Sequence, residues 1–137
     1  PIFGIDPGHQ SYYGVSVGYT YDNVHRLETV IDNRLLAGTT TYTYDLAGNL
    51  ESDSRPNGVR ADYTYDALNH LTSLGITSAG TTQASYAYAL DRTGRRLSVT
   101  EGSGRTVNYT YDAVYRLTRE AVSGSTPPSA LDSSSSE

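Results

Sequence analysis

A short pattern of aromatic and acidic residues recurs along most of this chain. Each clear copy reads Tyr-Thr-Tyr-Asp, with a Leu at the fifth position after the Asp. The clear copies start at Tyr19, Tyr42, Tyr63 and Tyr109, and a degenerate copy runs from Tyr86 through Tyr88 to Leu97. Ten of the 13 tyrosines lie in these pairs, and successive second tyrosines are 21 or 23 residues apart. Such a period is typical of arrays in which each unit buries apolar surface only against its neighbours.

The spacing of the two tyrosines predicts a β-strand. Side chains alternate between the two faces of a strand, so Tyr-x-Tyr places both rings on one face and the Thr on the other. The alternation extends upstream: in Val59–Tyr65, apolar or aromatic residues alternate with polar ones. The sequence therefore predicts strands with one tyrosine-rich face and one polar face.

The residues after each tyrosine pair predict a turn and a return strand. The Asp can hydrogen-bond the backbone of the turn that it opens. The third residue after it is Gly48 in one copy and Asn69 in another, types that tolerate positive φ; His25 fits this position less well, and Tyr115 does not fit it. The Leu then begins the return strand, which makes each unit a β-hairpin. The structural repeat residues are Tyr19, Tyr21, Asp22, Leu27, Tyr42, Tyr44, Asp45, Gly48, Leu50, Tyr63, Tyr65, Asp66, Leu71, Tyr86, Tyr88, Leu97, Tyr109, Tyr111, Asp112 and Leu117.

Turn signals also lie at the opposite ends of the hairpins. They are Ala37-Gly38, Pro56-Asn57-Gly58, Ala79-Gly80 and Gly102-Ser103-Gly104. Asn57-Gly58 matches a favoured two-residue hairpin turn. Turns at both ends predict an all-β fold, an antiparallel meander of about ten strands built from five hairpins over residues 18–122. Residues 1–17 do not fit the repeat, so we expect an arm or cap there, and we expect the Ser- and Pro-rich residues 123–137 to be a linker or disordered tail.

The fourth copy departs from the pattern. Eight residues separate Tyr88 from Leu97, and Asp91 stands three places after the tyrosine instead of one. Extra residues in a hairpin commonly form a bulge or a longer loop, and we expect one of these here.

The composition narrows the possible interior and partners. Hydrophobic residues make up 36% of the chain, with one Phe and no Trp, Met or Cys, so tyrosine must supply much of the buried area. Because tyrosine hydroxyls need partners, we expect a layered, hydrogen-bonded interior. The net charge of −5 and the absence of Lys disfavour nucleic acid, and no apolar run is long enough for a membrane span.

Candidate sites each have a plainer interpretation. The repeat aspartates, aligned in a row, could hold cations or act as acid and base, but turn capping explains each of them. His25 and His70 could approach one another as metal ligands, but they lack accompanying carboxylates or cysteines and fit solvent-facing turns. Tyrosine rows could stack on sugars, or they could be core. No nucleophile motif or phosphate loop is present, so we expect no enzyme activity, cofactor or metal.

The repeats resemble YD repeats, which characterise bacterial Rhs proteins, shell components of insecticidal toxin complexes and teneurins. The family pattern is approximately Tyr-x-Tyr-Asp-x-x-Gly-Arg-Leu, and Tyr42–Leu50 follows it with Asn49 in place of the arginine. The resemblance covers about residues 18–120 and implies a β-sheet strip that curls into a hollow shell, in some members around a toxic polypeptide. Family shells have many more than five repeats, and the self-cleaving core of toxin-bearing members has no counterpart here.

Three functions follow as hypotheses. The first is a non-catalytic YD-type shell or scaffold segment of a larger secreted or cell-surface bacterial protein, whose partners are further YD repeats and, in a toxin-bearing member, an enclosed polypeptide. The second is a self-assembling subunit of an extracellular filament, because open sheet edges recruit further strands. The third is an adhesion module that binds glycans or a receptor.

Overall fold

The computed structural model describes residues 16–34 and 38–124. This part of the chain is all β, with ten antiparallel strands in one open sheet and no helix, which confirms the predicted fold class. Each strand pairs only with its neighbours in sequence, and β1 and β10 do not pair with each other. The strands are β1 Val17–Tyr21, β2 Leu27–Asp32, β3 Thr39–Tyr44, β4 Leu50–Ser54, β5 Val59–Tyr65, β6 Leu71–Ser78, β7 Thr81–Leu90, β8 Arg96–Glu101, β9 Thr106–Tyr111 and β10 Leu117–Ser123.

The described part of the chain contains no helix long and apolar enough to cross a membrane. Most of the predicted arm, residues 1–15, and most of the predicted tail, residues 125–137, lie outside the described residues. So do residues 35–37, which include Ala37 of one predicted turn.

The two faces of the sheet differ in chemistry. Cross-strand partners share a face, and the register follows Tyr63, Leu74, Tyr86 and Glu101 across four strands. We call this side the tyrosine face; it also carries the tyrosine pairs and the buried residues Ala61, Val99 and Val107. The opposite side, the hydroxyl face, carries cross-strand hydroxyl pairs: Thr20 with Thr29, Thr43 with Ser52, and Thr64 with Ser73.

The expected layered interior is wrong for the described residues. The ten strands form one sheet, and only strands adjacent in it contact one another, so no second layer packs on its tyrosine face within the described residues. The interior tyrosines are half-buried. The rings of β1 are more open, with Tyr19 58% and Tyr21 60% exposed.

The fourth hairpin corrects the expected alignment. Tyr88 pairs with Val99 and Leu90 with Arg96, the same register that Tyr19 and Tyr21 have with Val30 and Leu27. Leu90 therefore takes the place of the second tyrosine, and Asp91 opens a turn of the usual length. A register shift does lie between Ala89 and Leu90, but the other copies have the same bulge directly before the turn aspartate, and the loop that follows is no longer than theirs.

Two further consequences follow from this register. The return strand β8 begins at Arg96, one residue before Leu97. The additional residues of this copy lie at the other end of the sheet, where β6 and β7 extend to the Ala79-Gly80 turn. The sequence prediction placed the extra residues between Tyr88 and Leu97 because it aligned the copies by their tyrosines. In the structure the copies align by their turns.

The Asn57-Gly58 prediction is also corrected. Arg55 N donates to Val59 O at 2.8 Å, and Gly58 N donates to Arg55 O at 3.0 Å, so the loop has three residues. Only Gly58 has positive φ, at 79°. Pro56 explains the difference, because its fixed φ suits the first central position of an ordinary type I turn. The two-residue turn forms instead at Ala79-Gly80, where both residues have positive φ.

Candidate functional site

Five turns of the same design lie at one end of the strands, and we call them the repeat turns. In the first, Asp22 N donates to Arg26 O at 2.8 Å and His25 N donates to Asp22 O at 3.0 Å. This is a three-residue hairpin loop that ends in a left-handed residue. The repeat turns are Asp22–Arg26, Asp45–Asn49, Asp66–His70, Asp91–Arg95 and Asp112–Arg116.

The third residue after the Asp has positive φ in every repeat turn. The values are 66° for His25, 91° for Gly48, 64° for Asn69, 81° for Gly94 and 66° for Tyr115. The expectation that Tyr115 breaks this rule is wrong. Left-handed backbone is costly for a bulky residue, so the pairing of β9 with β10 imposes it there.

Each turn aspartate binds its own turn. In Asp91, Oδ1 accepts from the backbone N of Thr93 at 2.8 Å and of Arg95 at 3.0 Å, and Oδ2 accepts from Arg95 Nε at 2.5 Å. The hydrogen bond from the Thr93 hydroxyl, with those from the two backbone groups and Arg95, lowers the pKa of Asp91. Hydrogen bonds also lower the pKa of the other four: Asp22, Asp45, Asp66 and Asp112. The row of carboxylates is therefore held ionised by turn capping.

No metal site forms among the described residues. They contain no group of three or more His, Cys, Asp or Glu arranged to hold an ion. His25 and His70 belong to the first and third repeat turns, with the second turn between them. His70 Nδ1 lies 3.1 Å from Asp66 Oδ2, and its ring lies against Gly94 of the fourth turn. The suggested approach of the two histidines is therefore wrong.

Neighbouring repeat turns contact one another in a regular way that the sequence analysis missed. The fourth residue after each Asp meets the third residue after the next Asp. Asn49 Nδ2, for example, donates to Asn69 Oδ1 at 2.9 Å. The other pairs are Arg26 with Gly48, His70 with Gly94 and Arg95 with Tyr115. The fourth residue after the Asp is basic or an amide in all five copies, and this recurrence is the sequence signal that could have revealed the contact between turns.

The second tyrosine of a copy can contact the hairpin before it. Tyr44 OH donates to Leu27 O at 2.8 Å, and the Arg26 guanidinium carbon lies 4.4 Å from the Tyr44 ring centroid. The fifth copy repeats this arrangement: Tyr111 OH donates to Arg96 O at 2.8 Å, and Arg95 lies 5.2 Å from the Tyr111 ring centroid. We call this combination of hydroxyl, carbonyl and guanidinium the junction contact.

One buried carboxylate lies on the tyrosine face. Asp53 is 5% exposed, and its Oδ2 accepts from Tyr63 OH at 3.0 Å while its Oδ1 accepts from Arg55 Nε at 2.9 Å. Burial, followed by the hydrogen bond to Asp53, raises the pKa of Tyr63. Both carboxylate oxygens are thus satisfied within the sheet, so Asp53 links β4 and β5 and has no free oxygen aimed at a substrate.

A depression of about 610 Å³ lies beside the β8–β9 turn. Its lining includes Gln83, Ser85, Tyr86, Glu101 and Gly102. Glu101 forms an ion pair with Arg105, and no histidine, cysteine or second carboxylate lines the depression. It therefore lacks a pair of groups for acid–base chemistry.

Comparison with known proteins identifies the fold. No protein-family model and no curated protein matches the sequence. The fold resembles that of Tc toxin proteins. The likeness to the crystal structure of TcdB2-TccC3-Cdc42 has a TM-score of 0.65 at 22% identity, over 76% of this chain and 6% of that chain. For the Tc holotoxin pore of Photorhabdus luminescens with a mutated TccC3, the TM-score is 0.53 at 18% identity, over 74% of this chain and 6% of that chain. The chain thus spans about 6% of the length of these proteins.

Proposed function

We propose that this chain is a non-catalytic wall segment of a larger secreted YD-repeat protein. The observation that carries the proposal is the contact between successive repeat turns. Each of the first four copies uses its fourth residue after the Asp to contact the next copy, as Asn49 does with Asn69. An array whose polar side chains are used to join repeat to repeat has the design of a scaffold.

The fold likeness supports the same proposal. The Tc toxin chains are many times longer than this one, which agrees with five hairpins being a small part of a strip. The resemblance to YD repeats implies that such strips form shells, so we propose that the wall belongs to a toxin-associated protein.

The chemistry of the carboxylates argues against an enzyme. The turn aspartates have lowered pKa values because hydrogen bonds favour their charged form. A general acid or base works best with a pKa near the operating pH, so these groups are poorly suited to proton transfer.

We further propose that the tyrosine face lines the compartment and contacts an enclosed polypeptide. This face carries the tyrosine pairs and most of the larger aliphatic residues, whereas the hydroxyl face carries mainly Thr and Ser, with a few charged residues such as Arg60 and Asp62. Half-buried tyrosine rings provide apolar area and a hydrogen-bonding hydroxyl. Such a surface suits an unfolded chain of mixed sequence.

A binding experiment tests this proposal. The chain has no Trp, so the tryptophan emission of a tryptophan-containing, permanently unfolded polypeptide reports binding without a tryptophan signal from the chain. We expect Tyr109→Ser to weaken binding about threefold to tenfold by removing a ring from the tyrosine face. Thr110→Ser is the matched control, since Thr110 is the next residue on the same strand and faces the opposite side.

The outcomes separate the hypotheses. Absence of binding, or equal losses in the two variants, would contradict a wall whose tyrosine face contacts a polypeptide. Binding of the chain to a glycan array, lost in Tyr109→Ser, would favour the adhesion module instead.

A self-assembling subunit is the second candidate, and the two edges of the sheet favour it. All five residues of β1 are exposed, and β10 is exposed except at Ala121. Exposed edge strands present unpaired backbone groups to another chain. The arm expected to fill such a gap lies almost entirely outside the described residues, so the contact considered below uses the strands themselves.

A further inference from the structure

The two edges of the described sheet are complementary halves of the junction contact. Inside the sheet, a return strand supplies a carbonyl and a preceding arginine, and the next copy supplies its second tyrosine. Leu27 and Arg26 supply them to Tyr44 in the first junction. Both junctions that form the contact have an arginine at this place.

Strand β1 carries the tyrosine half without a preceding hairpin in the described sheet. Tyr21 occupies the position that Tyr44 and Tyr111 occupy in their copies, directly before the turn aspartate. Its side chain is 60% exposed. The hydroxyl and ring that are engaged in Tyr44 are therefore exposed in Tyr21 at the β1 edge of the described sheet.

Strand β10 carries the other half. Arg116 stands directly before this return strand, as Arg26 does before β2, and its side chain is 78% exposed. It is held by Asp112 at 2.7 Å, the same distance at which Asp22 holds Arg26. The guanidinium is thus oriented by the same ion pair as in the formed junction, and Leu117 provides the carbonyl that follows it.

We propose that β10 of one copy of this chain pairs antiparallel with β1 of a second copy. Tyr21 OH then donates to the carbonyl oxygen of Leu117, and the Arg116 guanidinium lies over the Tyr21 ring. The inference rests on the proposed role of the chain as a repeating wall unit, because it extends the wall by the contact that already joins its repeats. The contact is heterologous, so repeated addition produces an open filament.

The interior junctions determine the register. Thr29 lies opposite Thr41 in the first junction, and Ser98 lies opposite Asn108 in the last. The corresponding residues at the edges are Arg119 on β10 and Gly18 on β1. In this register Arg119 lies opposite Gly18, and because glycine has no side chain there is room for the long side chain of Arg119. The next pair in the same register is Glu120 with Val17.

Disulfide trapping tests the register, because the chain has no native Cys. The variants Gly18→Cys and Arg119→Cys are mixed under mild oxidation. Directly opposed residues in paired strands meet the distance requirement of a disulfide, so we expect the mixed dimer to form at least about tenfold faster than in the control. The control mixes Gly18→Cys with Ala121→Cys, which is displaced by two residues on the same face of β10. The pair Val17→Cys and Glu120→Cys repeats the test if Gly18→Cys does not fold.

Sedimentation velocity tests the junction contact. We expect Tyr21→Phe to weaken self-association about fivefold, because it removes one hydrogen bond, and Arg116→Ala to weaken it further. Tyr19→Phe is the matched control on the same strand and should leave association unchanged. Equal trapping in the two cysteine mixtures, or a wild-type chain that stays monomeric at every concentration, would overturn the pairing.

The two proposals fail in different ways. A monomeric chain that still binds the unfolded polypeptide through Tyr109 would contradict the edge pairing and would still support the proposed wall segment. Register-specific trapping without any binding of that polypeptide would support the edge pairing and reject the lining role of the tyrosine face.

Discussion

The imidazole of His70 lies against the backbone of Gly94, where a Cβ on Gly94 would stand 2.6 Å from His70 Nε2. The two residues belong to successive repeat turns, and the imidazole is also 3.1 Å from Asp66. The third turn therefore rests on the fourth at a place where only glycine leaves room for the ring. Adjacent hairpins are fitted to each other at their turns as well as along their strands.

The first prediction concerns this contact. Gly94→Ala should destabilise the chain for two reasons: φ at Gly94 is 81°, and the new Cβ would displace the His70 ring from Asp66. The backbone strain should cost about 1 kcal/mol, with a similar amount added for the displaced ring. Urea unfolding followed by circular dichroism measures the loss.

Gly104→Ala is the matched control for the backbone term. Gly104 has φ of 87°, and a Cβ there would meet nothing within 4 Å. Gly104→Ala should therefore lose only the stability that the backbone strain costs. Combining His70→Ala with Gly94→Ala should reduce the cost of Gly94→Ala to that of Gly104→Ala, and equal costs for the two single glycine variants would contradict the fitted contact.

The second prediction concerns the junction contact. Tyr44→Phe removes the hydroxyl that donates to Leu27 O and keeps the ring beneath Arg26. We expect a loss of about 1 kcal/mol in the free energy of unfolding, since one hydrogen bond to a part-buried carbonyl is lost. Thermal unfolding of Tyr44→Phe and of Tyr19→Phe, whose ring is 58% exposed, gives the comparison. An unchanged Tyr44→Phe would mean that the hydroxyl does not help to join the hairpins.

The third prediction concerns the buried carboxylate. Tyr63→Phe removes one of the two partners of Asp53, which is 5% exposed. A buried charged acceptor that loses a donor should cost about 1–3 kcal/mol, more than the loss at the partly exposed Tyr44. Denaturant unfolding measures this order of effects. If Tyr63→Phe loses less free energy of unfolding than Tyr44→Phe, solvent has replaced the missing donor and Asp53 is less enclosed than described.

The fourth prediction concerns acid. Hydrogen bonds from Arg34, first from its side chain and then from its backbone N, lower the pKa of Asp32 to about 2, and the turn aspartates have lowered pKa values as well. An unfolded Asp has a pKa of about 3.9. Because the folded values are lower, these groups stabilise the fold above that pH, and the stability is lost as the pH falls through the folded values. We therefore expect the urea concentration at the unfolding midpoint, measured from pH 7 to pH 2, to decrease once the pH is below about 4.

A variant separates the capping aspartates from a general effect of acid. Asp91→Asn keeps the shape of the side chain but cannot titrate, so its urea midpoint should fall less between pH 5 and pH 2 than that of the wild-type chain. A parallel fall in both proteins would show that Asp91 does not contribute to the acid sensitivity.

Local patterns predicted most of the secondary structure. The alternation in Val59–Tyr65 and the aspartates that open the turns act over a few residues, so strand and turn positions follow from neighbouring side chains. The same local reasoning misplaced the fourth hairpin, because it ranked Tyr88 as the second tyrosine. The register with β8 shows that Leu90 has that place.

The candidate site was harder to predict than the strands. Tyr115 adopts positive φ although its type disfavours it, because the closing of the β9–β10 hairpin outweighs the local cost. The turn at Asn57-Gly58, at the opposite end of the strands, is a second case. This dipeptide favours a two-residue turn, but the neighbouring Pro56 favours the three-residue loop that forms. In each case a local preference of about 1 kcal/mol was overruled by pairing or by an adjacent residue.

The sequence by itself determined most of the strands, the turns that open with Asp22, Asp45 and Asp66, and the two chemically different faces, because these depend on residues within one copy. Only the tertiary structure decided that Arg26 covers Tyr44, that Asn49 bonds Asn69, and that His70 needs a glycine at position 94. These partners are about twenty residues apart and meet only after the strands have paired in register. Register is a property of the whole sheet, and it converted five similar hairpins into one joined surface with complementary edges.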